Sequence, residues 1–470
     1  VTAPLSDADQ TEAAVLTADA VRAAEAALVS SGIDEWSLMQ RAAEGCTEWI
    51  WRLAAGRGVT VLCGPGRNGG DGYLVAERLR RRGVAVEVVS PIPPRDALAV
   101  RARHLFNGSV VGAAEATAPL LIDALFGTGL ARPPEGEARA ELMTLYARHP
   151  LRVAIDVPSM IAADTGAVLL DGLPGATHTL ALGAWKPAHW LMPARARMGM
   201  TRLIPIGLQA ASPDRVAPRP RLAAPPAEAH KYTRGLVAVL GGAMPGAAIL
   251  ACESAARAGA GYVKLLTRSR PEGVPPHIVT AAIADAEDGL DPRTQVVVAG
   301  PGLGRDSGAR ELLDRVLAST VRLVLDADAL LLLRVDDRDR LGVRAVLTPH
   351  AGELAALCDV FGVPAGERLC RVRALAGTLG CCVVAKGPDT LVAAPDGVRF
   401  FPPAPSWLAT AGSGDVLAGI VAGRAAAGGS LPEAAVEAVW LHGEAARLCG
   451  LAFTASQLAH GISAAWRAFT

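Results

Sequence analysis

One recurring unit constrains this chain more than any other feature: a short apolar run that stops abruptly on Gly, Asp, His or Lys. Val59–Cys63 runs into Gly64-Pro-Gly-Arg-Asn-Gly-Gly-Asp-Gly72, Leu120–Ile122 into Asp123, and Arg152–Ile155 into Asp156. The second half repeats the pattern at Leu236–Leu240 (Gly241-Gly242), Val296–Ala299 (GPGLG), Leu323–Leu325 (Asp326), Ala345–Leu347 (Thr-Pro-His350) and Cys382–Ala385 (Lys386). Runs that are apolar throughout, rather than alternating, belong to strands buried on both faces, as when helices cover a parallel sheet. The expected fold class is α/β, with polar groups gathered at the C-terminal edges of the strands, where open parallel sheets bind ligands.

Length predicts two such domains, because 470 residues exceed the usual size of one. The break is expected at residues 209–228, a Pro-, Ala- and Arg-rich stretch without periodicity that reads as a semi-rigid linker between domains 1–208 and 229–470. Val21, Ala24 and Leu28, then Leu38, Met39, Ala42 and Ala43, mark two helices ahead of the first strand. Lys+Arg and Asp+Glu are both 46, so no general attraction to nucleic acid or to an acidic membrane is expected. The scattered cysteines form no zinc-like spacing and read as reduced and mostly buried. Asp7, Asp9 and Glu12 stand where a leader would need basic and apolar residues, and a cytoplasmic protein is the expectation.

In the first half, Asn68 and Asp71, Asp123, Asp156 and Ser159 follow three strands, and several strand-end polar groups together suggest a site. The glycine-rich turn has neither the GxGxxG nor the Walker spacing. GPGRNGGDG, DALFGTG, AIDVPS, TLALGAWKP and the earlier SGIDEWSLMQRA resemble the NAD(P)H-hydrate epimerase family over roughly residues 12–208. The resemblance implies a Rossmann-like parallel-sheet domain in which Arg67, Asn68, Gly69, Gly70, Asp71, Gly127, Thr128, Gly129, Leu130 and Asp156 bind the hydrate. It also implies a potassium ion held by Asn68, Asp123 and Ser159. Arg67 and Met160 stand where that family usually has Asn and Gly. Asp156 is the candidate acid/base, with Asp71 as its alternative.

In the second half, LATAGSGDVLAGIVAG (Leu408–Gly423) places two glycines and Ser413 ahead of an apolar helical run that Asp415 opens. Unpartnered first-turn amides favour a phosphate there, whereas an Asp at the same end opposes one. Asp415 therefore reads either as a helix cap or as a base for a hydroxyl undergoing phosphorylation. HKYTRG, GGAMPGAAIL, GPGLG, LDADAL, TPHAGE, AKGPDT and AGSGDVLAG resemble the ADP- or ATP-dependent NAD(P)H-hydrate dehydratases, a ribokinase-like family, over residues 229–470.

That resemblance implies Asp415 as catalytic base. Ala247, Gly302, Gly304, His350 and Asp415 would line the hydrate, and Lys386, Gly387, Pro388, Asp389, Thr390, Gly412, Ser413 and Gly414 the adenine nucleotide with its magnesium. His350 could instead cap the next helix, and Asp326 and Asp328 either position substrate or magnesium-bound water or serve the fold. The partners implied are NAD(P)H hydrate and ADP or ATP, with no nucleic acid or membrane, in a homo-oligomer. Two competing readings are a vitamin or sugar kinase in the second half and a non-catalytic binding module in the first.

Overall fold

The computed structural model describes residues 13–283 and 290–470, so Asp7, Asp9 and Glu12 lie outside the described residues. The chain divides into two compact units, Val1–Val216 and Ala217–Thr470.

In the first unit, Thr17 caps the helix Ala18–Ser30 and Asp34 the helix Glu35–Ala54, each accepting a backbone N–H that the first turn cannot pair internally. The strands are β1 (Val59–Cys63), β2 (Val86–Val89), β3 (Ser109–Val110), β4 (Leu120–Ala124), β5 (Leu151–Ile155), β6 (His178–Leu182) and β7 (Met200–Ile204). They lie in the order β3-β2-β1-β4-β5-β6-β7 with every pair parallel. β1 and β4 are buried at every residue, which is why their sequences do not alternate. A short β8 (Arg215–Val216) is bridged antiparallel to Ala14.

The second unit contains β9 (Leu236–Leu240), β10 (Tyr262–Thr267), β11 (Val279–Ala282), β12 (Thr294–Ala299), β13 (Arg322–Leu325), β14 (Ala345–Leu347), β15 (Cys382–Ala385), β16 (Leu391–Ala394) and β17 (Gly397–Phe400). Their order is β11-β10-β9-β12-β13-β14-β15-β16-β17, parallel as far as β15. β16 and β17 are antiparallel additions, a hairpin around Pro395-Asp396 that the reading of apolar runs passes over. Against this sheet lies the helix Ser413–Ala426, buried from Val416 to Ala426. Methyl groups on Gly419 and Gly423 would lie 2.3 Å and 2.4 Å from the carbonyl oxygens of Ala251 and Ala255, so the two helix backbones meet almost directly.

Residues 209–228 carry more contacts than a spacer needs. The Asp214 carbonyl accepts from Val15 N–H and Val216 N–H donates to Ala13, within the first unit. Ala217 N–H donates to Phe400, Leu222 N–H to Phe469, and the Arg219 guanidinium stacks on Phe469, within the second. Leu222 is 3% exposed. All described cysteines are free thiols, and all but Cys370 and Cys449 are buried. Among the described residues no helix is long and apolar enough to cross a membrane.

A fragment beginning at residue 217 should therefore be more stable than one beginning at 229. Losing the Leu222 side chain and two backbone bonds removes on the order of 3–5 kcal/mol. Urea midpoints of the two fragments check this; equal midpoints would make 217–228 a true linker.

Candidate functional site

In the first unit the strand order reverses between β1 and β4, which leaves a crevice at their C-terminal ends. The helix Arg67–Arg81 opens directly from the loop after β1, so Asn68, Gly69, Gly70 and Asp71 lie in its first turns. A methyl group on Gly127 would lie 3.2 Å from Asn68 Cγ and 3.3 Å from Asp156 Oδ2, so these three residues face one another across a cleft. Thr128 and Gly129 complete that turn, closed by Leu130 N–H on the Gly127 carbonyl at 3.2 Å. Asp71 is 7% exposed, and burial followed by the charge of Asp156 lifts its carboxyl well above the usual range.

Asp156 is held from several directions. Its backbone is left-handed, φ +70°. Its N–H donates to Leu180, and its carbonyl accepts from His189 Nε2 at 2.8 Å. Lys186 Nζ donates to its Oδ1 at 2.5 Å and Leu182 N–H to the same oxygen at 3.2 Å. His189 Nδ1 accepts from Lys186 N–H, and burial lowers the ring to about 4, which leaves it neutral with Nε2 as the donor.

Asp123 has a different role from Asp156. Tyr146 Oη (2.6 Å) and Ser159 N–H (2.9 Å) donate to Oδ2, while Ser159 Oγ (2.5 Å) and Leu125 N–H (3.2 Å) donate to Oδ1. Burial still raises its carboxyl above the ordinary range. Two of the three expected ion ligands, Asp123 and Ser159, are thus in contact, while Asn68 faces Gly127 with a buried Nδ2 that has no partner among the described residues. The two departures from the family pattern lie apart. Met160 is 1% exposed in the apolar core, and Arg67 is exposed and neutralised by Glu35 at 2.5 Å, with Glu25 and Asp96 at 3.7 Å.

In the second unit the order reverses between β9 and β12. One lip of that crevice joins Met244 N–H to the Gly302 carbonyl, Ala247 N–H to the Met244 carbonyl, and Gly304 N–H to Asp328 Oδ2 at 3.0 Å. Asp328 is also held by Arg305 at 2.7 Å. The cap of the helix Ser413–Ala426 is Gly412, φ +88°, and no side chain caps it. Ser413 is fixed through Oγ to the Leu408 carbonyl at 2.8 Å and through its own carbonyl to His442 Nε2 at 3.0 Å.

Asp415 lies inside the first turn rather than at the cap. Burial, then the charge of Asp326, raises it to about 6 against the pull of Lys386. Lys386 Nζ donates to Asp326 Oδ1 at 2.5 Å and lies 3.9 Å from Glu353 Oε2. A methyl group on Gly414 would be 3.1 Å from that ammonium, which places it beside the turn. His350 does cap its helix, Nδ1 accepting from Gly352 and Glu353 N–H, and its ring remains 60% exposed. Gly387 and Pro388 form an exposed turn closed by Thr390 Oγ on the Gly387 carbonyl, while Asp389 is buried against Arg368.

Residues 35–188 match the family described as YjeF-related protein N-terminus, and residues 237–467 the family described as NAD(P)H-hydrate dehydratase. The bifunctional NAD(P)H-hydrate repair enzyme of Mycobacterium tuberculosis is 36% identical over 439 residues, 89% of this chain and 90% of that one. The chain belongs to the bifunctional NAD(P)H-hydrate repair enzyme family. The Escherichia coli relative of the same description is 33% identical over 461 residues, 90% of this chain and 87% of that one. Among solved structures, an ADP/ATP-dependent NAD(P)H-hydrate dehydratase from Bacillus subtilis, co-crystallized with ATP and Mg2+, is 29% identical with TM-score 0.45, covering 53% of this chain and 95% of that one.

For this member of the repair-enzyme family, the sequence reading passes over Lys186, His189, Glu353, Arg368 and His442. Lys186 carried a signal, a lone cation inside the apolar run Ala181–Met192. Glu353 stands three residues after His350 and closes its capping box, while His189, Arg368 and His442 become visible only when distant segments meet.

Tyr146→Phe should destabilise the first unit by ~1.5–3 kcal/mol, since a buried carboxylate loses a charge-assisted donor. Urea unfolding of the full chain, followed through the first unit's transition, checks this.

Proposed function

We propose that the first unit exchanges the R and S epimers of NAD(P)H hydrates and that the second dehydrates the S epimer to NAD(P)H with ADP or ATP. The observation that carries the second half is the position of Asp415: within a first turn that it does not cap, beside the glycines Gly412 and Gly414, with its carboxyl raised by burial to about 6. Hydroxide is a poor leaving group. In the proposed sequence the C6 hydroxyl gives its proton to Asp415 and its oxygen takes the phosphoryl group. The ring nitrogen lone pair then expels phosphate, and loss of a C5 proton restores the double bond. The amides of Gly412 and Gly414 and the Lys386 ammonium beside them would offset charge on the group in transfer, while the Ser413 N–H is held by the Thr410 carbonyl. Magnesium would enter with the nucleotide phosphates, near Asp326.

At the first site, epimerisation requires the C6–O bond or the ring to open and close, with Asp156 and Asp71 as acid/base groups on one cleft. The carboxylate of Asp123, the Ser159 hydroxyl and the carboxamide oxygen of Asn68 would supply oxygen ligands of the kind a hard alkali cation such as potassium takes. The ion would supply a fixed positive charge at the cleft.

The test is recovery of reduced-nicotinamide absorbance from an epimer mixture, with ADP and ATP supplied separately. A phosphorylated metabolite in place of NAD(P)H and inorganic phosphate would favour a kinase, and a first unit without epimer exchange would be a binding module.

Asp415→Asn should lower dehydration by ~10²–10⁴-fold while nucleotide still binds. The wild-type rate should fall as pH drops through about 6, because the base must be ionised to act. Its folded-state pKa lies above the ordinary 3.8, so the ionised group opposes folding at neutral pH, and the variant should melt no earlier than wild type at pH 7. An earlier melt with unchanged turnover would make Asp415 structural.

A further inference from the structure

Lys186 is 1% exposed, on the segment after β6, and its ammonium makes two contacts: Asp156 Oδ1 at 2.5 Å and the Leu182 carbonyl at 2.7 Å. A cation so deep is costly unless its partners are near and well aligned. Asp156 lies between it and the cleft, since the other carboxylate oxygen, Oδ2, faces the Gly127 turn. Lys186 therefore reaches the substrate only through Asp156.

We propose that Lys186 is a positioning residue of the epimerase site: its ammonium fixes Oδ1 of Asp156, leaves Oδ2 as the oxygen offered to the hydrate, and makes Asp156 rather than Asp71 the proton acceptor. This rests on the epimerase reading of the first unit. The charges around Asp156 support the division. Asp71 and Arg67 come from the helix Arg67–Arg81, Glu25 from the helix Ala18–Ser30, Cys46 from the helix Glu35–Ala54, and Lys186 and His189 from the segment after β6. Arg67 is matched by Glu35, and His189 is neutral, so Lys186 is the cation that bears directly on Asp156. Asp71, which makes no ion pair among the described residues, is raised by burial and by Asp156 against the weaker pull of Arg67 and Lys186. Two carboxyl groups in one cleft are thereby set to opposite tasks.

The test measures epimer exchange by the full chain as wild type, Lys186→Met and Lys186→Arg across a range of pH. The urea-unfolding transition of the first unit serves as the internal check on its folding, and dehydration of the S epimer by the second unit as the check that the loss is confined to epimer exchange. The expected result is a loss of ~10²-fold or more at neutral pH in Lys186→Met, mainly in kcat, that shrinks as pH rises because the acid limb of the profile moves to higher pH. Lys186→Arg, which keeps a cation, should recover part of the rate at neutral pH. A Lys186→Met loss that is the same at every pH, or an unchanged rate, overturns the proposal. So does a Lys186→Arg variant that is folded, by the internal check, yet no faster than Lys186→Met. If the wild-type chain itself shows no exchange, the epimerase reading falls and this inference with it; wild-type exchange alongside an unaffected variant overturns the inference alone.

Discussion

The second site depends on a helix that is buried along nearly its whole length and open only at its first turn. Between Val416 and Ala426 every residue of the helix Ser413–Ala426 is buried, and the glycines facing Ala251 and Ala255 bring its backbone against its neighbour's. A side chain at either glycine would force the pair apart, so the helix has one seating. Its open end is then fixed by the protein's own contacts, and His442 and the Leu408 carbonyl lock Ser413 from behind. Preorganisation of this kind is what a phosphate-binding turn needs, because donors already in place do not reorganise during the reaction.

Buried charges are managed in three ways. Asp123 is surrounded by neutral donors from Tyr146, Ser159 and Leu125. Asp156 and Asp326 each receive an ammonium, from Lys186 and Lys386. Asp415 receives neither and so titrates higher than an ordinary carboxylate. Removing carboxylates from water costs several kcal/mol each, and the pattern shows where the fold recovers it and where it does not.

Much of this architecture was legible in the residues. Apolar runs that do not alternate gave the parallel strands, and the abrupt Gly or Asp after each located both crevices. What stayed hidden depended on long-range geometry. The hairpin at Pro395-Asp396 is short and lies at a sheet edge, so it leaves no periodic signal. Lys186 stands out as a cation in an apolar run, but only the fold shows that Asp156 lies beside it. Residues 209–228 look like a spacer because their prolines and alanines say nothing about Leu222, whose burial depends on Phe469. Composition alone could not separate the two uses of His350, which caps a helix and still exposes its ring.

The seclusion of the thiols has a consequence of its own. Burial holds Cys46, Cys63, Cys252 and Cys382 far above ordinary thiol ionisation and pushes Cys381 up to about 12. Thiolate is the form that oxidants and electrophiles attack. A protein of this family works among reduced and damaged nicotinamides, and most of its sulfur is kept chemically silent there; the surface leaves Cys370 and, in part, Cys449 as the positions where oxidative damage could begin.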